Sequence, residues 1–175
     1  MKHQIIQNFL NESVSPINSF KELFKTMPDE LQKRVFGLKS IGQNPKWHPE
    51  GDVLKHTILV TNRAFKYAPD DIDLAIAAML HDIGKDSTSG IHKTTGAVTH
   101  YGHEDVSAIL TKKYSEWITS IGGNPDDVYF IVINHMKMKQ FDVMKISKQR
   151  AISEHPSFNK LQSFSSNMDK GGNLV

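Results

Sequence analysis

Cysteine is absent from these 175 residues. That removes disulfides, thiolate metal ligands and cysteine nucleophiles together, so any bound metal must be held by nitrogen and oxygen. Charge of one sign is also scarce. The formal net charge is +2, too small for a broad electrostatic footprint on nucleic acid; contact with RNA or DNA would have to be local, such as a strand end entering a cleft. No window approaches the ~20 apolar residues of a membrane span. The opening Met1-Lys2-His3-Gln4-Ile5-Ile6-Gln7-Asn8 is too polar for a secretory signal, so the expected location is the cytoplasm. Repeats and low-complexity tracts are missing too. What is present is an ordinary soluble composition, 38% hydrophobic and 23% charged, enough for one domain around one core. Nine histidines are many for this length, and where they fall matters more than their number.

Apolar spacing predicts helices almost throughout. Ile5, Ile6, Phe9 and Leu10 mark a first short one; Ser15-Pro16, with Ile17, Phe20, Leu23 and Phe24, starts a second; Met27-Pro28-Asp29-Glu30 starts a third. Asp52 caps a helix over 53–65 whose stripe is Leu54, Ile58, Thr61 and Phe65, with His56 on a flank beside Leu59, Val60 and Arg63. Pro69-Asp70-Asp71 opens a central apolar helix, rich in small Ala75, Ala77 and Ala78, that ends in His81-Asp82 and stops at Gly84. Residues 85–101 are polar and read as a long connection, a substrate-side flap holding the weaker candidates His92 and His100. Tyr101-Gly102 opens the next helix, with His103 in its first turn and Val106, Ile109, Leu110 and Tyr114 packing inward. Asn124-Pro125-Asp126-Asp127 is a strong helix start, and Val128, Ile131, Val132 and His135 share its buried face. A short helix over 147–154 follows. Ser157 then caps a last one, where Phe158, Leu161, Phe164 and Met168 face in and Asp169 closes. The organisation expected is an N-terminal helical cap over 1–44, a functional domain over 45–170 and a frayed tail over 171–175.

His56, His81, Asp82, His103, His135 and Asp169 therefore lie on five separate helices or helix ends. A buried ionisable group needs a partner or a metal. Six nitrogen and oxygen groups on five helices meet only if the helices surround one cavity, as in a bundle whose core holds the site. Imidazole and carboxylate together suit divalent transition metals, and one carboxylate can bridge two ions. The local zinc signature His-Glu-x-x-His does not occur.

The sequence resembles the HD-domain superfamily of metal-dependent phosphohydrolases, with His56, the pair His81-Asp82, and Asp169 at its motif positions. It is more similar still to the HD domain of bacterial tRNA nucleotidyltransferases and poly(A) polymerase-like proteins. That likeness is carried by Trp47-His48-Pro49-Glu50-Gly51-Asp52-Val53, by Ala77-Ala78-Met79-Leu80-His81-Asp82-Ile83-Gly84-Lys85 and by Tyr101-Gly102-His103-Glu104. Asn134-His135-Met136 and Met144-Lys145-Ile146-Ser147-Lys148 match more loosely. Residues 1–44 are too short for the nucleotidyltransferase head and lack its acidic motifs, so tail addition to tRNA is not implied. Asn167-Met168-Asp169-Lys170-Gly171 is the poorest match.

The resemblance implies an all-α bundle of the HD type, with the polar 85–101 loop over the site. It also implies hydrolysis of a phosphomonoester or phosphodiester in a nucleotide or RNA terminus, with 2′,3′-cyclic phosphates as the first substrates to test. His56, His81, Asp82 and Asp169 would hold one ion; His103 and His135, with Asp82 bridging, would hold a second. Lys85 would add positive charge at the transition state, and Glu104 or Asp86 would take or relay a proton. The metal is Mn, Mg, Ni, Co or Fe. Two alternatives share these ligands: a two-iron oxygenase, and an HD module that binds nucleotide or RNA without turnover. The oligomeric state is open.

Overall fold

Ser19 starts the first helix of the computed structural model, which describes residues 16–171. Its side chain accepts a hydrogen bond from Glu22 N and caps α1, Phe20–Lys25. The helix thus begins four residues later than Ser15-Pro16 had indicated, with Ser19 supplying the capping oxygen. Ser15, the helix expected around Ile5–Leu10, and residues 172–175 of the expected tail lie outside the described residues.

Helix α2, Asp29–Gly37, runs into a 3-10 turn at Leu38–Ser40. Leu23, Leu31, Val35 and Leu38 are fully buried and belong to the same core as the rest of the chain. An irregular stretch then leads to α3, Val53–Tyr67, whose N-cap Asp52 accepts from Lys55 N at 2.9 Å. Helix α4, Ile72–Leu80, is buried along its whole length after Ile72. Its alanines let α3 and α8 pack closely on either side.

The expected loop over 85–101 is largely ordered. It contains a helical turn, α5 (Lys85–Thr88), and a two-stranded antiparallel hairpin, β1 (Gly90–Ile91) with β2 (Val98–Thr99). Strands of two residues leave no alternation to read in a sequence. Helix α6, His103–Lys113, follows Gly102, whose φ of 77° is a left-handed conformation that glycine adopts without strain. Ile109 is exposed, not inward as its spacing indicated; the buried face of α6 is His103, Ser107, Ala108, Leu110 and Thr111. Helix α7, Ser115–Ser120, precedes α8, Pro125–Met138, where the Asn124 side chain caps as expected by accepting from Asp126 N. After a 3-10 turn at Phe141–Val143 come α9, Ile146–Ser153, and α10, Phe158–Ser163. Ser157 precedes α10 but does not cap it; its hydroxyl donates to Asp127 instead. A π-helical turn, Phe164–Met168, then delivers Asp169.

One correction bears on function. The buried face of α3 is Val53, His56, Thr57, Val60, Thr61 and Ala64, while Leu54, Ile58 and Phe65 are only half-buried. Helix α3 touches α4, the first 3-10 turn and the π-turn, so its packed arc is wide and takes in polar residues. Thr57 meets the cost of burial by donating to Val53 O. His56 is therefore not on a flank but on the inward face.

Candidate metal centre

Asp82 sits just past α4, in the turn that ends at Gly84, with 2% of its side chain exposed. Its two oxygens look in different directions. Oδ2 lies 3.2 Å from His81 Nε2 and 3.8 Å from His56 Nε2. Oδ1 lies 3.1 Å from His103 Nε2 and 3.9 Å from His135 Nε2. Asp169 closes the first group from the π-turn, its Oδ1 3.2 Å from His56 Nε2 and 3.8 Å from His81 Nε2. All six residues expected from the sequence are thus brought together, and all six are buried.

The donor set fits metal ions. Ligand bonds of about 2.0–2.2 Å in a tetrahedral or octahedral shell place neighbouring ligand atoms roughly 3–3.5 Å apart, close to the spacings here. Donor atoms of His56, His81 and Asp82 form one group, and those of Asp82, His103 and His135 another, each within 4.8 Å. His103 and His135 point Nε2 at each other across 3.2 Å. Both donate Nδ1–H to backbone carbonyls, of His100 and Val132, so two lone pairs face one another unless a cation or proton lies between. His81 donates Nδ1–H to Ala78 O, and its Nε2, like Asp169 Oδ2, is buried without a hydrogen bond of good geometry among the described residues. Atoms near enough for an ion pair but poorly aligned for a hydrogen bond are what coordination to a shared cation would produce.

Electrostatics agree. Burial alone would raise the Asp82 carboxyl, but the positive charge around it, at His81 and Lys85 above all, and the close approach of His103 hold it well below the ordinary range. Asp169 is lowered likewise, against burial, by the hydrogen bond from His56 and the charge of Lys139. His56 is pulled up to about 9, also against burial, by Asp169, Glu50 and Asp82. His135 is pushed down to about 3 by burial and the neighbouring histidines. The pocket is built for anionic carboxylates and positive charge.

Three residues were not singled out beforehand. Glu50 is buried and meets His56 Nδ1 at 2.6 Å and His48 Nδ1 at 3.1 Å. Lys139, at the end of α8, puts Nζ 3.1 Å from Asp169 Oδ2 with 40% of its side chain exposed. Gln43 accepts from Lys85 Nζ at 2.8 Å. The only sequence signal was the placing of Glu50 between a histidine and a helix start. Lys85 itself is buried and donates to Asp82 Oδ2 at 2.7 Å. Glu104 keeps 27% of its side chain exposed, 3.5 Å from His103 Nδ1. Asp86 turns outward and pairs with Arg34 at 2.8 Å. His92 stays in the hairpin, accepting from Thr95 N, and His100 bonds Gly42 O, so neither joins the six.

Buried imidazoles and carboxylates delivered by separate helices to one point define a helical protein with a histidine–carboxylate metal centre. The family model for the HD domain matches residues 53–155, more than half of the chain, and the protein belongs to that family of metal-dependent phosphohydrolases. Asp169 and Glu50 fall outside the matched residues and are placed by the structure alone. The chain is similar to the Multifunctional CCA protein of Shewanella denitrificans, at 30% identity over 86 residues, 49% of this chain and 20% of that protein. It is also similar to the Multifunctional CCA protein of Thioalkalivibrio sulfidiphilus, at 36% identity over 78 residues, 45% of this chain and 17% of that protein. The matched stretch thus spans about a fifth of those relatives. No solved structure matches the chain. Among the described residues no helix is long and apolar enough to cross a membrane.

Proposed function

We propose that the protein hydrolyses phosphoesters of nucleotides or RNA termini, 2′,3′-cyclic phosphates among them, with one or two divalent ions held by His56, His81, Asp82, His103, His135 and Asp169. The observation that carries this reading is the divided carboxylate: Asp82 offers Oδ2 to His56 and His81 and Oδ1 to His103 and His135. Asp82 could thus serve ions on both of its sides, and two such ions would supply charge to the oxygens of a displacement at phosphorus. Bound ions would supply an acidified water and neutralise phosphate charge.

The chain's own residues would do the rest. Lys85, locked between Asp82 and Gln43, holds the bridging carboxylate in place. Lys139 is the site's partly exposed ammonium, suited to meet an incoming phosphate oxygen. Glu104, also partly exposed and beside His103, is placed to take or pass a proton. The likeness to Multifunctional CCA proteins supports an RNA end or nucleotide as the substrate class. The helices of residues 16–44 would act as a cap on the domain.

The reading without turnover rested on the irregular sequence around Asp169. With that carboxylate 3.2 Å from His56 Nε2, its ground is weaker. The test is metal analysis of the purified protein followed by a phosphate-release screen over cyclic and linear nucleotides and RNA ends. Chelator-sensitive release is expected, with His56→Ala and Asp82→Ala inactive. Full metal-stimulated activity in either variant defeats the proposal, and turnover with redox-inert Mg separates hydrolysis from the iron-oxygenase alternative.

A further inference from the structure

Four imidazoles approach Asp82 and Asp169 through Nε2, and each sends Nδ1 away from the centre to an acceptor. For three, the acceptor is the backbone carbonyl three residues earlier: Ala78 O for His81, His100 O for His103 and Val132 O for His135, at 2.8, 2.7 and 2.6 Å. His81 lies at a helix C-terminus and His103 at an N-terminus, where carbonyls at or before a helix end are available; His135 shares Val132 O, one turn back in its own helix. His56 has no such outlet. It lies in the first turn of α3, and the carbonyl three residues back, Val53 O, already accepts the Thr57 hydroxyl at 2.9 Å. Its Nδ1 instead meets a carboxylate, Glu50 Oε1, at 2.6 Å.

Glu50 is held for that task. It precedes Gly51, whose φ of 108° allows the chain to turn sharply into α3. Its side chain is wholly buried, a costly state for a carboxylate without compensating partners. His48 approaches the same Oε1 at 3.1 Å, with its ring edge-on to His56 at 4.6 Å between centroids.

We propose that Glu50 is a positioning residue of the metal centre: its carboxylate binds Nδ1–H of His56 and aims the Nε2 lone pair at the ion shared with His81, Asp82 and Asp169, while His48 braces the same oxygen. The inference rests on the ligand role of His56 and not on any substrate. A carboxylate behind a ligating imidazole fixes its tautomer and makes it a stronger donor, and losing such a partner weakens metal affinity about 10–100-fold. One rival geometry exists. His48, Glu50 and His56 are close enough to hold an ion themselves, which would use Nδ1 of His56.

The test uses the full chain. Co2+ alone is titrated into chelator-treated wild type, Glu50→Ala, Glu50→Gln and His48→Ala. Glu50→Ala should bind about 10–100-fold more weakly; Glu50→Gln, which keeps an acceptor without the charge, should fall between it and wild type; His48→Ala should stay nearer wild type. In the Zn2+-loaded wild type, histidine proton–nitrogen correlation spectra should place the remaining His56 proton on Nδ1, shielded from exchange. In Glu50→Gln that proton should exchange faster. Unchanged Co2+ affinity in Glu50→Gln and Glu50→Ala overturns the proposal, as does a wild-type spectrum with the proton on Nε2. Should Glu50→Ala fail to fold, the Gln variant and the wild-type spectrum decide. An empty phosphatase screen with weakened Co2+ binding would remove the substrate reading and leave this one standing.

Discussion

Replacing Asp82 by alanine separates the two things its carboxylate does. In the metal-free protein it neutralises Lys85, 2.7 Å away, and lies within 4 Å of the Nε2 atoms of His56, His81, His103 and His135. Removing one partner of a buried ion pair destabilises by about 3–5 kcal/mol. The lower end is expected, because Lys85 keeps Gln43 Oε1 at 2.8 Å. For a chain of this length each kcal/mol moves Tm by roughly 2–4 °C, so the chelator-treated variant should melt roughly 6–12 °C below wild type. The second effect is linkage. Wild type at a metal concentration 1,000-fold above Kd gains about 4 kcal/mol, or roughly 8–16 °C by the same conversion. Asp82 joins both ligand groups, so Asp82→Ala should lose nearly all of that gain. Calorimetry of each protein with chelator and with Mn2+ gives both numbers. A variant that keeps more than half of the wild-type metal-dependent shift refutes the bridging role, even if its metal-free Tm falls as expected.

Other perturbations give independent checks. The His56 imidazole, pulled up to about 9, contributes stability that is complete below its unfolded value of about 6.5 and is lost as pH rises toward 9. His135 and His48, pushed down to about 3 and about 4, contribute stability present above 6.5 and lost as pH falls toward those values. Urea midpoints of the metal-free protein should therefore peak near pH 6–7, and a midpoint that rises steadily to pH 10 would contradict the assignment. Lys160 ties α10 to Asp71, Asp73 and Asp127 at 3.2, 2.5 and 3.2 Å; Lys160→Met should lower stability by about 2 kcal/mol after allowance for partial exposure, with Co2+ affinity unchanged. A methyl on Gly84 would stand 2.6 Å from His103 O and 2.9 Å from Ser107 N, so Gly84→Ala should cost about 1–3 kcal/mol and, by pushing α6 outward, weaken Co2+ binding as well.

Much of the site was legible because its residues sit at points where sequence patterns are strong. The Asn124-Pro125 cap and the Val128, Ile131, Val132 spacing put His135 on a buried face, and His135 is 1% exposed. The pair His81-Asp82 ends an apolar run, and the run is buried. His56 was harder. A single stripe of large apolar residues misassigns the inward face of a helix that is packed over a wide arc, as α3 is. Asp169 was the least legible of the six, since a single carboxylate just past a helix end has no period to betray its burial. Glu50 could not be read as a partner of His56, because the contact depends on the turn at Gly51 and not on any repeat. The hairpin within 85–101 was invisible for the same reason, its strands being two residues long.

The way these ligands are anchored says how the site is tuned. Each imidazole is pinned through Nδ1 to an acceptor close in sequence: three residues away for His81, His103 and His135, six for His56. Side-chain orientation is thus fixed locally, and the only long-range variable is how far apart the helices stand. His56 and Asp169 are 113 positions apart in sequence yet meet at 3.2 Å, so their distance is set by the packing of α3 against α4 and the π-turn. The small residues Ala75, Ala77 and Ala78, exposed by 1% or less, lie in that spacing layer. A larger side chain there would move whole ligands while leaving each imidazole's own hydrogen bond intact. Metal affinity should therefore respond to the volume of core side chains that are not themselves ligands, as expected when the site is a property of helix packing and its binding free energy is linked to folding.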